Sequence, residues 1–457
     1  MKHSWLAINR VAMEAEREQC RAEGREMNSV EAWFDQVLGT DLSRRANATP
    51  AQNLLDQTIE LPLSDEFPHV EPNQLPKILE CRPLDAPELP PLNKADFARL
   101  QDQVGGAWAG RCAGCLLGLP FEGKCRADIH GLLKGIERFP LTSYVKWEHL
   151  KDRADLLAQY ELVENDPDKP WADKLRGAMV EDDELNFTAM NLSAFRRHGL
   201  AITPAEIGAF WLENLPVMHM QGAECIAYRN LCLTINPPES AKYRNPYREW
   251  NGAAIRGDYW GYICAGTPEK AAEFAWRDAC VSHVRNGIYA AMWVAAMTAA
   301  AFVTDNIATV IRAGLAQIPE ESRLTAAIKT VMEWRTDGIE YDDAVAKIHA
   351  NWDERRPHFA RHAIPNAQII AVALLWGEGD FGDSVSKAVQ AGLETDSNGA
   401  AVGSLVGILR GRSGIDATWT EPLHDTLHTG VEGMATVTFP QLVTATVQGM
   451  VTVLGRG

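Results

Sequence analysis

Apolar residues recur at helical spacing along most of the chain, and this period, not a strand-like alternation, predicts its architecture. In residues 1–39, Leu6, Val11, Met13, Val30, Phe34 and Val37 stand among many Glu and Arg side chains, which predicts helix with a stop at Gly39. Between Pro62 and Pro91 eight prolines fall within thirty residues. Each proline fixes φ and removes a donor, so this stretch reads as an extended connector or a wrapping arm. From Phe97 onward, helix-length segments follow at 97–118, 184–198, 204–214, 269–279, 287–303, 305–316, 321–335, 341–350, 366–376, 383–392, 398–410 and 439–454. Several open on capping residues: Thr203-Pro204 with Glu206, Thr267-Pro268, and Asp305. Strand signals are sparse and no fixed-period repeat is present. The pattern predicts an all-α protein carrying a helical, proline-rich N-terminal extension.

One segment changes the picture if misread. Gly287 to Val303 is uncharged for 17 residues. A membrane span needs about 20 predominantly apolar residues. This run is short, rich in Ala, and bounded by His283, Arg285 and Asp305, so it reads as a helix buried on all sides of a large core. The 457 residues carry 61 acidic and 44 basic side chains, a formal charge of -17. That balance excludes a general nucleic-acid or anionic-membrane binder, which needs a basic surface, and leaves carboxylates for a cation site. Nine scattered cysteines do not form a secreted disulfide framework. The opening MKHSWLAINRVAMEAERE has no apolar signal-peptide core, and a cytoplasmic location is expected.

Three segments carry candidate chemistry. Glu181-Asp182-Asp183-Glu184 precedes the helical stretch LNFTAMNLSAFRRHG, and Glu394-Thr395-Asp396-Ser397 precedes NGAAVGSLVGILRG. Each places hard oxygen ligands at a helix mouth, suited to Mg²⁺, Mn²⁺ or Ca²⁺. Either run alone is more simply a set of helix caps. Gly392, Gly399, Gly403 and Gly407 favour more than caps, because a tightly packed central helix needs such glycines and a solvated acidic face does not. In the third segment, Gly106, Gly110, Gly114 and Gly118 recur every four positions on one helix face, before Pro120 breaks the helix and presents Glu122.

These residues carry a resemblance. GRCAGCLLGLPFEG at 110–123 resembles the N-terminal signature of the ADP-ribosylglycohydrolase family, GxxxGDxLGxPxEG. EDDE at 181–184 resembles its first acidic cluster, and NGAAIRGD at 251–258 is similar to its NGxxMR segment. SHVRNGIY at 282–289 resembles its histidine-bearing segment, and ETDSNGAAVGSLVG at 394–407 its second metal motif. The five occur in the family's order over more than three-quarters of the chain. The resemblance implies a catalytic domain over 98–457, with residues 1–97 as an extension outside it. It implies an all-α fold with two divalent cations, Mg²⁺ or Mn²⁺ with Ca²⁺ as a further option. The metal ligands would be Glu181, Asp182 and Asp183 from the first cluster and Glu394, Asp396 and Ser397 from the second. Glu122 and Asp183 would be catalytic. Asn251, Gly252, His283, Asn286 and Gly399 would line the ribosyl pocket.

The activity so implied is hydrolysis of an N- or O-glycosidic bond to ADP-ribose or a related ribosyl group, on a small molecule or a protein, with no nucleic-acid or membrane partner. Metals can bind ribose hydroxyls and activate water, while a carboxylate serves as acid or base at the anomeric carbon. Glu181 stands where the family has Thr, Glu394 where it has Asp, and Cys115 where its signature has Asp; Ser397 keeps a hydroxyl. These changes leave two alternatives open: a hydrolase of small ribosides or nucleoside-like metabolites, and a non-catalytic binding or structural protein. Cys112 and Cys115 read as buried thiols, and the pairs His358/His362 and His424/His428 lack the Glu of a zinc-protease motif.

Overall fold

Two glycine-spaced helices form the axis of the molecule. Phe97–Gly118 and Thr395–Arg410 run antiparallel, with Gly106 against Gly407, Gly110 against Gly403, and Gly114 against Gly399. At each pair a Cβ on one glycine would overlap the backbone carbonyl of its partner. No larger residue allows this approach, which explains the four-residue glycine period on both helices. The computed structural model describes residues 4–93 and 95–455, and among these it contains 22 α-helices and one short hairpin. The hairpin pairs Thr426–His428 with Thr436–Thr438, antiparallel, with Leu427 opposite Val437.

The uncharged segment forms the helix Arg285–Ala301, and every one of its residues is buried. Asp258–Ile263, Pro268–Ala279, Ile307–Leu315, Ala363–Gly377 and Thr395–Arg410 surround it. Among the described residues, no helix is long and apolar enough to cross a membrane. Ala363–Gly377 is buried throughout in the same way, which is why its sequence shows no polar face. Phe439–Leu454 closes the other side of the glycine pair, with Trp108 Nε1 donating to Thr446 Oγ1 at 3.0 Å. All nine cysteines are free, and Cys112 and Cys115 lie buried inside Phe97–Gly118.

The N-terminal extension departs from the sequence expectation in its detail. The expected helical stretch is two helices, Arg10–Ala22 and Glu31–Leu38, separated by a left-handed Gly24 at φ 72°. A further helix, Ala48–Thr58, packs with them around a small core containing Met13, Phe34, Leu54 and Leu55. The proline-rich segment behaves as a wrapping arm. Tyr289 donates to the carbonyl of Pro72 at 2.5 Å, Trp276 to that of Asn73 at 2.9 Å, and the Arg285 amide to Asn73 Oδ1 at 2.7 Å. With few donors of its own, the arm is held mostly by side chains of the body it crosses.

Buried ion pairs fasten the extension down. Arg248 meets Glu16 at 2.6 Å and Glu23 at 2.7 Å, all three about 2 % exposed or less. Arg323 similarly bridges Glu71 of the arm, at 2.7 Å, and Glu249, at 2.8 Å. Such pairs contribute little against an apolar replacement of both partners, but removing one partner strands the other charge in the interior. Arg248→Met is therefore expected to cost about 3–5 kcal/mol. Urea unfolding followed by circular dichroism would measure it, and a cost below about 1 kcal/mol would mean that the two glutamates reach water without unfolding.

Candidate active site

The glycine pair brings the two acidic runs together. Gly118 ends one helix against Thr395 and Asp396 at the start of the other, where Thr395 Oγ1 donates to the Gly118 carbonyl at 2.9 Å. Leu119–Phe121 then makes one 3₁₀ turn and delivers Glu122 at its end. The first run arrives from elsewhere in the chain. Asp182 caps the helix Asp183–His198, accepting from the Asp183 amide at 2.7 Å. Arg111, fully buried in the glycine helix, fixes that arrival by donating to the Glu184 carbonyl at 3.2 Å and to Asp258 Oδ2 at 2.8 Å. Two helix N-termini and one helix C-terminal turn thus converge, and both N-termini favour negative charge.

The cleft above them has two communicating lobes. The inner lobe, about 430 Å³, is walled by Asp183, Glu224, Asn251, Glu394, Asp396 and Ser397 among others. The outer lobe, about 1200 Å³ and open to solvent, takes in Glu181, Asp182, Lys169 and His219. Trp5, Glu122, Asp183 and Gln221 border both. Beneath the cleft, ligand atoms of Cys115, Asp182 and Glu184 lie within 4.8 Å of one another. Both oxygens of Glu184 and Oδ1 of Asp396 are buried without a hydrogen-bond partner.

The electrostatics match that crowding. Burial, with the neighbouring charges of Glu184, Asp183 and Asp396, pushes the Asp182 carboxyl well above its ordinary range. Asp183 and Asp396 are raised by burial and by like charges as well. Glu394 is pushed up to about 7 by burial; Arg361, 3.7 Å away, opposes the shift, and Glu122 and Glu184 reinforce it. Burial, together with the same carboxylates, drives the Cys115 thiol far up, so it is a neutral donor, lying 3.8 Å from Asp182 Oδ2. Carboxylates this close, with unpaired buried oxygens and raised pKa values, fit hard divalent cations, whose charge would hold them ionised. Asp182, Asp183 and Glu184 from one run and Glu394, Asp396 and Ser397 from the other are the residues that could hold them.

The remaining expected residues divide into two groups. Asn251 and Gly252 line the inner lobe. Glu181, at the start of its run, is exposed and meets His219 at 2.9 Å on the outer rim instead of joining the buried carboxylates. His283, Asn286 and Gly399 border neither lobe. His283 is buried behind the wall, with Nδ1 beside Ser282 Oγ at 2.8 Å and Glu224 at 3.8 Å, and burial pushes its pKa well below the ordinary value. Asn286 is occupied by Glu71 of the arm and the Leu324 amide, at 2.9 and 3.0 Å. Gly399 sits in the glycine pair against Gly114.

Glu184, Glu224, Trp5 and Arg361 are additional to the expected residues, as are Lys169, His219 and Gln221 along the outer lobe. Glu184 belongs to the EDDE run, where its position inside the first helical turn, on the buried face, was the available signal. Glu224, from Gly222–Cys232, lies directly under Gly252 and pairs with Arg256, itself held by Asp278 at 2.9 Å. Trp5 and Arg361 complete the wall, from segments that carry no local signal.

The sequence profile of the family described as ADP-ribosylglycohydrolase matches residues 96–448, about three-quarters of the chain. No curated protein matches it. Among solved structures, an "ADP-ribosylglycohydrolase-related protein complex" is similar at 15% identity and a TM-score of 0.47 over 78% of this chain and 99% of that one, too distant a likeness to bear on mechanism. Profile, motif order and helical architecture agree: the chain belongs to the ADP-ribosylglycohydrolase family, whose members are generally hydrolytic.

Proposed function

We propose that the protein is a divalent-metal-dependent hydrolase of the glycosidic bond between a ribosyl or ADP-ribosyl group and its aglycone. The observation that carries this reading is the meeting of Glu184 and Asp396, from runs some two hundred residues apart, with buried oxygens that no protein group satisfies. Metal ions held there would supply Lewis acidity toward ribose hydroxyls and water.

The protein's own groups account for the rest. Glu122 borders both lobes, with Lys169 3.3 Å away; it would protonate the glycosidic oxygen or nitrogen of the leaving group as general acid. Asp183, which borders the same two lobes, would orient and deprotonate the attacking water. Asn251 and the backbone at Gly252 would position the sugar, and Glu224 would keep that turn in place from below. Positive charge developing on the ribose in an oxocarbenium-like transition state would be stabilised by the anionic walls, a contribution that grows as the bond breaks.

Turnover is expected to vanish in EDTA and return with Mg²⁺ or Mn²⁺. Release of ribose or ADP-ribose from a panel of N- and O-linked substrates, followed by chromatography, would measure it. Hydrolysis unchanged by EDTA, or no metal-dependent hydrolysis of any member of the panel, would count against the proposal.

A further inference from the structure

We propose that the N-terminal extension completes the cleft as a recognition site for a planar nitrogen heterocycle carried on an unphosphorylated ribose, with Trp5 as the stacking surface. The inference rests on the glycohydrolase reading above and narrows its substrate.

Trp5 lies in the Ser4–Leu6 turn, well before the residues that match the family. Tyr247 and Trp250 meet it at right angles, with ring centroids 5.4 and 5.6 Å away. The Arg361 guanidinium stands 5.7 Å from the Trp5 ring and 5.6 Å from Trp250. The indole is thus held in a fixed orientation, yet it is only partly buried and borders both lobes of the cleft. A rigid indole on the boundary of a sugar site offers a face to a flat ring attached to that sugar.

Charge decides which ring-bearing substrate fits. Eight carboxylates line the two lobes, against Lys169 and Arg361. Both cations already have partners: Lys169 is 3.3 Å from Glu122, and Arg361 is 3.7 Å from Glu394. A diphosphate is ordinarily held by Arg or Lys side chains or by the amides of a helix N-terminus. Here the two helix N-termini at the cleft open on acidic residues: the Asp182 carboxylate occupies the first by accepting from the Asp183 amide, and Glu394 stands uncapped before the second as a further negative charge. Two divalent cations would offset four negative charges and leave the walls anionic. A diphosphate is therefore repelled, whereas a neutral or cationic heterocycle is not.

Calorimetric titration of the full-length protein in Mn²⁺ tests this without depending on turnover. The probes are inosine and nicotinamide riboside, one neutral and one cationic, with ADP-ribose for comparison. At least one riboside is expected to bind at least tenfold more tightly than ADP-ribose. Trp5→Leu, which keeps apolar contact with Tyr247 and Trp250, is expected to weaken that riboside about tenfold or more, while Trp5→Tyr stays within about threefold. Equal or tighter binding of ADP-ribose, no binding of either riboside, or an unchanged Kd in Trp5→Leu would overturn the proposal. Hydrolysis is assayed in parallel, so the two readings fail separately. Riboside binding without cleavage counts against the glycohydrolase, and metal-dependent cleavage of ADP-ribosyl substrates with ribosides unbound counts against Trp5 alone.

Discussion

Asp396→Asn is expected to lower turnover by about 10³-fold or more and to abolish the thermal stabilisation that Mn²⁺ gives the wild-type protein. Its Oδ1 is buried and unpaired, its carboxyl feels the charges of Glu184, Glu122, Glu394 and Asp183, and an amide keeps the shape while removing the charge. A ligand that binds only the folded state stabilises it by about 2.7 kcal/mol at a hundred times its Kd, and that increment should disappear in the variant. Without metal, the sign reverses. Removing one of several crowded buried carboxylates relieves repulsion, so metal-free Asp396→Asn should melt above metal-free wild type. Scanning calorimetry of both proteins, with EDTA and with Mn²⁺, reads all four states. A variant that melts lower than wild type without metal, and still gains from Mn²⁺, would mean that Asp396 is structural.

Gly403→Ala is expected to destabilise the protein by about 3 kcal/mol or more and to weaken metal binding, although it lies two helical turns from the site. A Cβ there would overlap the carbonyl of Gly110, which is backbone and cannot rotate away. The two axial helices would have to separate, and Asp396 would move away from Asp182 with them. Gly105→Ala is the control. Its Cβ would meet no backbone atom, only side-chain carbons, Arg412 Cβ at 3.1 Å and Val443 Cγ2 at 3.8 Å, so a few tenths of an ångström of adjustment accommodates it. Urea midpoints and Mn²⁺ titration of the two variants should therefore differ sharply. Equal effects would show that the seam tolerates expansion and does not set the site's spacing.

Much of the architecture was legible because long amphipathic or wholly apolar helices carry strong periodic signals. Phe97–Gly118, Pro204–Asn214 and Phe439–Leu454 match their expected limits, and Asp183–His198 and Pro268–Ala279 differ by one residue at the start. Two of the helices that escaped notice are of a different kind. Gly222–Cys232 begins with no side-chain cap, and Asp258–Ile263 spans only six residues, so neither offers a start signal or enough turns for periodicity to register. The His424/His428 pair falls at a left-handed turn and a strand end, not on a helix face, since the hairpin is too short to alternate visibly.

The site was legible to the extent that its residues are contiguous. Both acidic runs and Glu122 border the same cleft. What the runs could not reveal is which of their carboxylates turn inward. Helical rotation sends Glu184 into the core and leaves Glu181 outside at the rim with His219. Trp5 and Arg361 were invisible for another reason: they reach the cleft through tertiary packing of the N-terminal turn and of the short helix Pro357–Arg361, which no local pattern encodes. His283 and Asn286 show the reverse case. Their motif resembles a pocket segment, but the arm and the buried charge network occupy both side chains behind the wall.

The most direct test is the position of bound metal. Crystals soaked in Mn²⁺ and measured at a wavelength with strong manganese anomalous scattering should show density between Asp182, Glu184 and Asp396, and Asp396→Asn crystals treated identically should lose at least part of it. Anomalous peaks confined to the exposed surface, or none within ligand distance of both acidic runs, would contradict a shared cation centre and with it the hydrolytic mechanism.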